Sequence, residues 1–478
     1  MKEIKLSFIP AAEDTFKKGT WILIILCEVL VGFVGAVLDP LYIPILLVGT
    51  FCVIYSIKRP YFSYVLLLFS LPLFEYSIMG TQDVKHQAEL KFSDILVVLT
   101  IFVWLLDGLV RKNLSFAKSP IITVIILLFA FMFLSLVWCK NLPTGCIVLA
   151  KKIVSVTVLF LTVNLVTDRK RLDSTLKFWT IIGSVYAFYG LWEMTHKHFT
   201  DVNSRFDAIQ TSIRTSATEA GPNEFGFYLN LCLMICIPQV IITKSLRYRI
   251  FLIFSITMMI LALITTISRG SWIGFAAGTI ILSAYSKKCR KILLIGIVVA
   301  VVFLVSICNT YFMDAIYGRF TGLMNPSDTR DFEGRSSVWA AGFRMFQGSP
   351  ICGVGIGSFG ILSHPLGTQI LILPHNLYVY ILSEFGLIGI SIFLSLVAVF
   401  IYNGIKTLKM QTGQDEKLIL IGLFAGLFIY CLQGMTGSFY LEESEMWAFF
   451  GLAIAAINVL STRPSVTPTS SHSLETSK

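Results

Sequence analysis

Four short segments carry residues able to do chemistry: RTSATEAGPN (214–223), SRG (268–270), EGRSSVW (333–339) and PHN (374–376). Arginine presents a planar fork that stays protonated and can grip phosphate or carboxylate oxygens two at a time. Histidine titrates where a group can take up and return a proton near neutral pH. Arg269 lies between two apolar stretches with almost no loop, close to the membrane plane. A charge there is expensive, so it is either functional or snorkels to lipid phosphate. The segment around EGRSSVW sets Arg319, Arg330, Arg335 and Arg344 against Asp314, Asp328, Asp331 and Glu333. Clustered arginines in a stretch of zero net charge suit one specific anionic ligand better than a polyanion.

The elements that must hold these residues follow from composition. Of 478 residues, 55% are hydrophobic and 14% charged, against about 25% charged in ordinary soluble domains. With a mean hydropathy of +0.78, the chain cannot cover its own surface in water. Apolar stretches fall near 20–38, 41–57, 61–79, 93–110, 120–139, 147–166, 174–194, 223–243, 250–267, 271–286, 292–312, 377–403, 418–438 and 444–460. At about 20 residues per crossing, this predicts an all-α polytopic membrane protein of about 14 transmembrane helices. The net charge of +10 would suggest a nucleic-acid partner, but 25 of the 38 lysines and arginines fall in alternate short loops. That bias records topology. It predicts a cytoplasmic segment 1–19, a transmembrane domain 20–460 and a disordered cytoplasmic tail 461–478. Two longer loops, 195–222 and 313–376, fall on the extracytoplasmic side. The ten cysteines form no CxxC pair and read as small core residues. Trp21 onward reads as a retained first span rather than a cleaved signal.

Within the longer loop, residues 335–347 place Val338, Trp339, Phe343 and Phe346 on roughly one helical face, with Arg335 one turn from Trp339. This predicts a short helix at the membrane surface, stopped by Pro350. Lys151 and Lys152 fall at the outer end of the sixth span and either snorkel or face an anionic ligand. GVGIG (353–357) resembles a nucleotide loop but lacks the strand–helix setting, and reads instead as a tight turn near the substrate. His196 and His198 have no further metal ligands clustered in the nearby sequence.

Taken together, SRGSWIGF, GRSSVWAAGFRMFQGSPICGVGIGSF and PHNLYVYILSEFGLIG, in this order and spacing, resemble the O-antigen ligase and polymerase superfamily of bacterial envelope glycan assembly. The resemblance covers about residues 205–405. It implies a donor glycan carried on undecaprenyl diphosphate at the outer face of the cytoplasmic membrane, and a site built from two arginines and a histidine. On this sequence those are Arg269, Arg335 and His375 as catalytic residues, with Arg214, Arg344 and Trp339 as substrate-binding candidates. Such chemistry is consistent with the residue types. Arginines neutralise the leaving diphosphate, and histidine takes the acceptor hydroxyl's proton. No Asp-x-Asp pair occurs, so the expected enzyme is metal-independent and needs no cofactor. His364 is the rival base to His375, and Glu384 either orients the site or packs structurally. Expected partners are the lipid-linked donor and a glycan or lipid-glycan acceptor, with flippase and chain-length regulator proteins as further candidates. A lipid-linked oligosaccharide flippase is the alternative reading. Transporters, however, concentrate functional charge within the bundle and often show two-half repeats, whereas here the polar residues gather in one outer loop.

Overall fold

The computed structural model describes residues 42–72, 77–79, 90–112, 114, 116–200, 215, 217, 221–307, 330–363, 373–411, 413–437 and 440–461. Its helices are α1 (Tyr42–Lys58), α2 (Pro60–Ser70), α3 (Phe92–Val110), α4 (Pro120–Leu134), α5 (Leu142–Leu165), α6 (Arg169–Thr200), α7 (Pro222–Ile242) and α8 (Leu246–Thr265). They continue as α9 (Arg269–Tyr285), α10 (Lys287–Ile307), α11 (Arg330–Gly348), α12 (Phe359–Ser363), α13 (Leu377–Met410), α14 (Gln414–Gln433) and α15 (Ser444–Ser461). The described strands, β1 (Ser77–Met79) and β2 (Leu90–Lys91), form a two-stranded antiparallel ribbon. Among the described residues, seven helices are long and apolar enough to cross a membrane, counting α4 with the 3-10 turn that extends it. The chain is an all-α polytopic membrane protein. The first expected span, 20–38, the segment 1–19 and residues 462–478 lie outside the described residues, as do 201–214, 216 and 218–220 of the first long loop and 313–329 and 364–372 of the second.

Each of the other thirteen apolar stretches contains a helix, because a backbone in hydrocarbon must satisfy its hydrogen bonds within the segment, but the expected span 61–79 is helical only as far as Ser70, and its residues Ser77–Met79 form β1 instead. Cap residues set many of the starts. Ser119, Asn141, Ser245, Ser268 and Asn376 each accept a backbone N–H from the first turn of α4, α5, α8, α9 and α13, and Pro follows the cap in α4. The exposed sides of the bundle are apolar, as at Val98, Phe102, Ile126, Phe133 and Ile280, which is what a hydrocarbon solvent requires. At the centre, α7 is 89% buried over its apolar window. Nearby, α15 lies so close to α5 that a Cβ on Gly451 would meet the Leu159 carbonyl oxygen at 2.9 Å.

One long helix is broken. Gly386 interrupts α13 with φ 61, and the GVGIG segment fills the gap with its own backbone. Val354 and Gly355 donate N–H to the carbonyls of Ser383 and Glu384, each at 2.9 Å, while the N–H groups of Leu387 and Ile388 donate to Pro350 and Ile351 at 2.9 and 3.1 Å. The chain therefore meets the hydrogen-bonding demand of irregular backbone inside a bundle by pairing one irregular segment with another. Gly353 and Gly386 are both left-handed, and a Cβ on Gly353 would lie 2.3 Å from the Glu384 carbonyl carbon. We expect Gly353→Ala to lower the thermal stability of the detergent-extracted protein. The left-handed backbone alone costs about 1–2 kcal/mol, and the overlap adds to it. Gly348→Ala, with open space around the added methyl, is the control that should leave the melting temperature unchanged.

The helix expected in the long loop is present as α11, but its buried stripe differs from the one predicted. Val338, Ala341 and Met345 are buried with Phe359, and Gly342 fits against Val379 and Phe359. Phe343 instead faces outward. The helix is clamped against α13 and α12, and packing with those two elements, rather than its own apolar period, selects the inward face. Lys152 departs from both of its expected readings. It is fully buried and ion-paired to Glu442 at 2.9 Å, so it neither snorkels nor faces an outside ligand.

Candidate functional site

The PHN segment opens α13 and is held from several sides. The Asn376 side chain accepts N–H from Tyr378 and Val379 at 3.0 and 3.1 Å. Leu377 donates its N–H to the Gly434 carbonyl at 2.7 Å, which ties the start of α13 to the end of α14. The Trp339 indole donates to the Pro374 carbonyl at 2.6 Å, so α11 grips the residue just before the histidine. The Tyr440 hydroxyl accepts the His375 N–H at 2.7 Å. His375 is left-handed, with φ 46. That backbone is uncommon outside glycine and persists only where the surroundings over-determine it.

Arg335 lies one turn before Trp339 on α11 and is half-buried. Burial, reinforced by this nearby guanidinium, holds the half-buried His375 imidazole below its ordinary pKa. Both effects disfavour the charged ring. At neutral pH His375 is therefore neutral and able to accept a proton.

The SRG segment is built differently. Ser268 caps α9 and donates to the Asn223 side chain at 2.7 Å, while Asn230 donates to the Ser271 carbonyl at 2.9 Å. These bonds lock the first turn of α9 to the first turns of α7 and put Arg269 at the N-terminal end of α9. Gly270 packs against Thr436, where a Cβ would sit 3.0 Å from the hydroxyl. Thr436 is two residues beyond Gly434, the anchor of α13, so Arg269 and His375 flank the same short turn after α14. The structure thus gathers Arg269, Arg335, Trp339 and His375 at one end of the bundle. Arg214 lies outside the described residues. Its neighbour Thr215 is pinned to Thr265, with a 2.7 Å hydroxyl pair and an N–H to carbonyl bond of 3.2 Å. Arg344 is exposed and, nine residues from Arg335, lies on the opposite side of α11. His364 lies outside the described residues, as do the side chains of His196 and His198.

Backbone strain collects at this end. Of the five left-handed non-glycine residues among those described, His375, Ala217, Ile267 and Leu441 lie here, the last three beside Thr215, Ser268 and Tyr440, while Lys112 follows α3. Glu384 serves packing. Its carboxylate accepts the N–H groups of Gly357 and Phe359 at 3.1 and 3.0 Å, stabilising the turn into α12. The segment YLEESE (440–445) escaped sequence reasoning. Three carboxylates beside a buried aromatic, together with a lysine inside an apolar span, were the available signal. Burial, with the charge of Glu442 beside it, pushes the Glu443 carboxyl up to about 8.

Residues 254–394 match the family model described as O-antigen ligase. Over this stretch the chain is similar to O-antigen ligases, in agreement with the resemblance its motifs carry. The matched stretch holds Arg269, Arg335, Trp339, Arg344 and His375, together with the loop that fills the break in α13. Lys152, Arg214 and Tyr440 lie beyond it. The chain is also similar to the teichuronic acid biosynthesis protein TuaE of Bacillus subtilis (strain 168), at 25% identity over 375 residues, or 74% of this chain and 76% of that protein.

Proposed function

We propose that this protein is a metal-independent polymerase or ligase that transfers a glycan from an undecaprenyl-diphosphate carrier to an acceptor hydroxyl. The reaction belongs to cell-surface polysaccharide synthesis of the O-antigen, capsule, exopolysaccharide or teichuronic type. The site lies on the extracytoplasmic face of the bacterial plasma membrane, and both termini are cytoplasmic. The observation that carries this reading is the clamp of α11, the helix that bears Arg335, onto the turn of the backbone-strained His375 through the 2.6 Å bond from the Trp339 indole to the Pro374 carbonyl, within the stretch matched by the family model.

In the transfer step, the acceptor oxygen forms a bond to the anomeric carbon as its proton passes to the His375 imidazole. The bond from that carbon to the phosphate oxygen breaks, and the electron pair leaves with the lipid diphosphate. Arg269 and Arg335 neutralise the charge that develops there. This is the electrostatic role that preorganised donors perform in a site that excludes water. Trp339 fixes the loop end and offers an apolar surface for a sugar face.

The test is reconstitution in liposomes with a radiolabelled undecaprenyl-diphosphate oligosaccharide. The expected result is a new glycosidic bond and stoichiometric release of undecaprenyl diphosphate, undiminished by added chelator. Label crossing the bilayer with no new bond would favour the flippase reading instead. Inhibition by chelator that divalent metal reverses would end the metal-independent one.

A further inference from the structure

Lys152 lies within the membrane-spanning α5 and is fully buried. A cation there survives only if paired and hydrogen-bonded. Its two hydrogen-bond partners lie on one segment 288–290 residues later in the chain, the Tyr440 carbonyl and the Glu442 carboxylate at 2.9 Å, and its ammonium also lies 5.2 Å from the centroid of the Tyr380 ring on α13. Ser155, on the next turn of α5, donates to the Glu442 carbonyl at 2.5 Å. The Trp447 indole donates to the Leu441 carbonyl at 3.1 Å, and the Glu443 carboxylate accepts the Tyr440 N–H at 3.2 Å. The Tyr440 ring rests on Tyr380, centroids 4.9 Å apart. Everything that fixes this segment fixes one phenol, whose oxygen accepts the N–H of left-handed His375 at 2.7 Å.

We propose that Lys152, Glu442 and Tyr440 form a brace that aims His375, making them positioning residues for transfer; this rests on His375 being the base. Lys152 is the fixed charge, Glu442 transmits its position to the segment, and the Tyr440 hydroxyl holds the His375 peptide in its strained conformation. Without that bond the peptide relaxes toward ordinary φ and the imidazole swings away from the acceptor oxygen. Misplacement of about 1 Å in a catalytic group can cost about 100-fold.

Tyr440→Phe keeps the ring and removes only the oxygen. In the reconstituted full-length protein it should lower kcat about 10- to 100-fold, with donor KM and donor binding within about two-fold of wild type. In a His375→Ala background the same substitution should cost nothing further, because groups that act as a unit are not additive. Lys152→Met alone leaves Glu442 unpaired and is expected to accumulate poorly. The neutral pair Lys152→Met/Glu442→Gln removes that liability and should fold with kcat reduced to the Tyr440→Phe level. Wild-type kcat in Tyr440→Phe beside an inactive His375→Ala overturns the brace and leaves the base assignment standing. An equal loss in both backgrounds also overturns it, since a merely structural tyrosine would behave that way. Normal transfer by His375→Ala removes the base reading and the brace with it.

Discussion

Replacing His375 with alanine should lower the transfer rate about 10²- to 10⁴-fold while the lipid-linked donor still binds, the usual contribution of a positioned general base. The bonds that hold this turn do not use the imidazole. The residues around the imidazole hold the backbone through Tyr440 and through Asn376, the cap of α13, so removing the ring leaves those bonds in place. Alanine also tolerates the left-handed backbone poorly, so the variant must be shown to accumulate and to bind donor before its rate is read. The pH profile gives an independent check with a definite sign. A base works unprotonated, and burial together with Arg335 lowers the His375 pKa from 6.5. Activity should therefore be full above neutrality and fall only as the pH drops through a value below 6.5. Arg335→Gln should move that inflection upward, though not all the way, because burial is the larger cause and remains. His364→Ala is the comparison that decides between the two histidines. An inactive His364→Ala beside a normally transferring His375→Ala would reassign the base.

Arg269→Lys and Arg335→Lys should each reduce transfer about 30- to 1000-fold, equivalent to about 2–4 kcal/mol of lost transition-state stabilisation. Lysine retains the charge but is a point donor, and a diphosphate held bidentately loses its second bond. The two variants separate in a second readout. Arg335→Lys keeps a cation near His375 and should preserve the pH inflection, whereas Arg269→Lys sits on a different element and should not touch it. Protein levels should remain normal in both, since neither guanidinium is buried in the core. Near-normal turnover in both would show that planar recognition of the diphosphate is not needed.

The helices were legible in the sequence, and the reason is local. In hydrocarbon each segment must close its own backbone hydrogen bonds, so an apolar run of sufficient length is already a helix. Its cap, such as Ser268 or Asn376, lies within four residues of the groups it satisfies. The chemistry-bearing motifs were legible for a related reason. Arg335 and Trp339 are one turn apart, so any helix through them puts both on one side, and Pro374 to Asn376 marks a helix start on its own.

Tertiary packing decided what depends on distant partners. The sequence reads GVGIG as a tight turn near the substrate, yet it supplies the hydrogen bonds missing where Gly386 breaks α13. No local pattern connects those two stretches. The apolar residues of α11 allowed more than one inward face, and contact with Val379 and Phe359 chose the one that turns Phe343 and Arg344 outward. The pairing of Lys152 with Glu442 spans 290 residues. A charge inside an apolar run announces only that a partner must exist, because the desolvation it demands can be offset by any carboxylate the fold brings near. The fold brings one whose neighbour, Tyr440, holds His375.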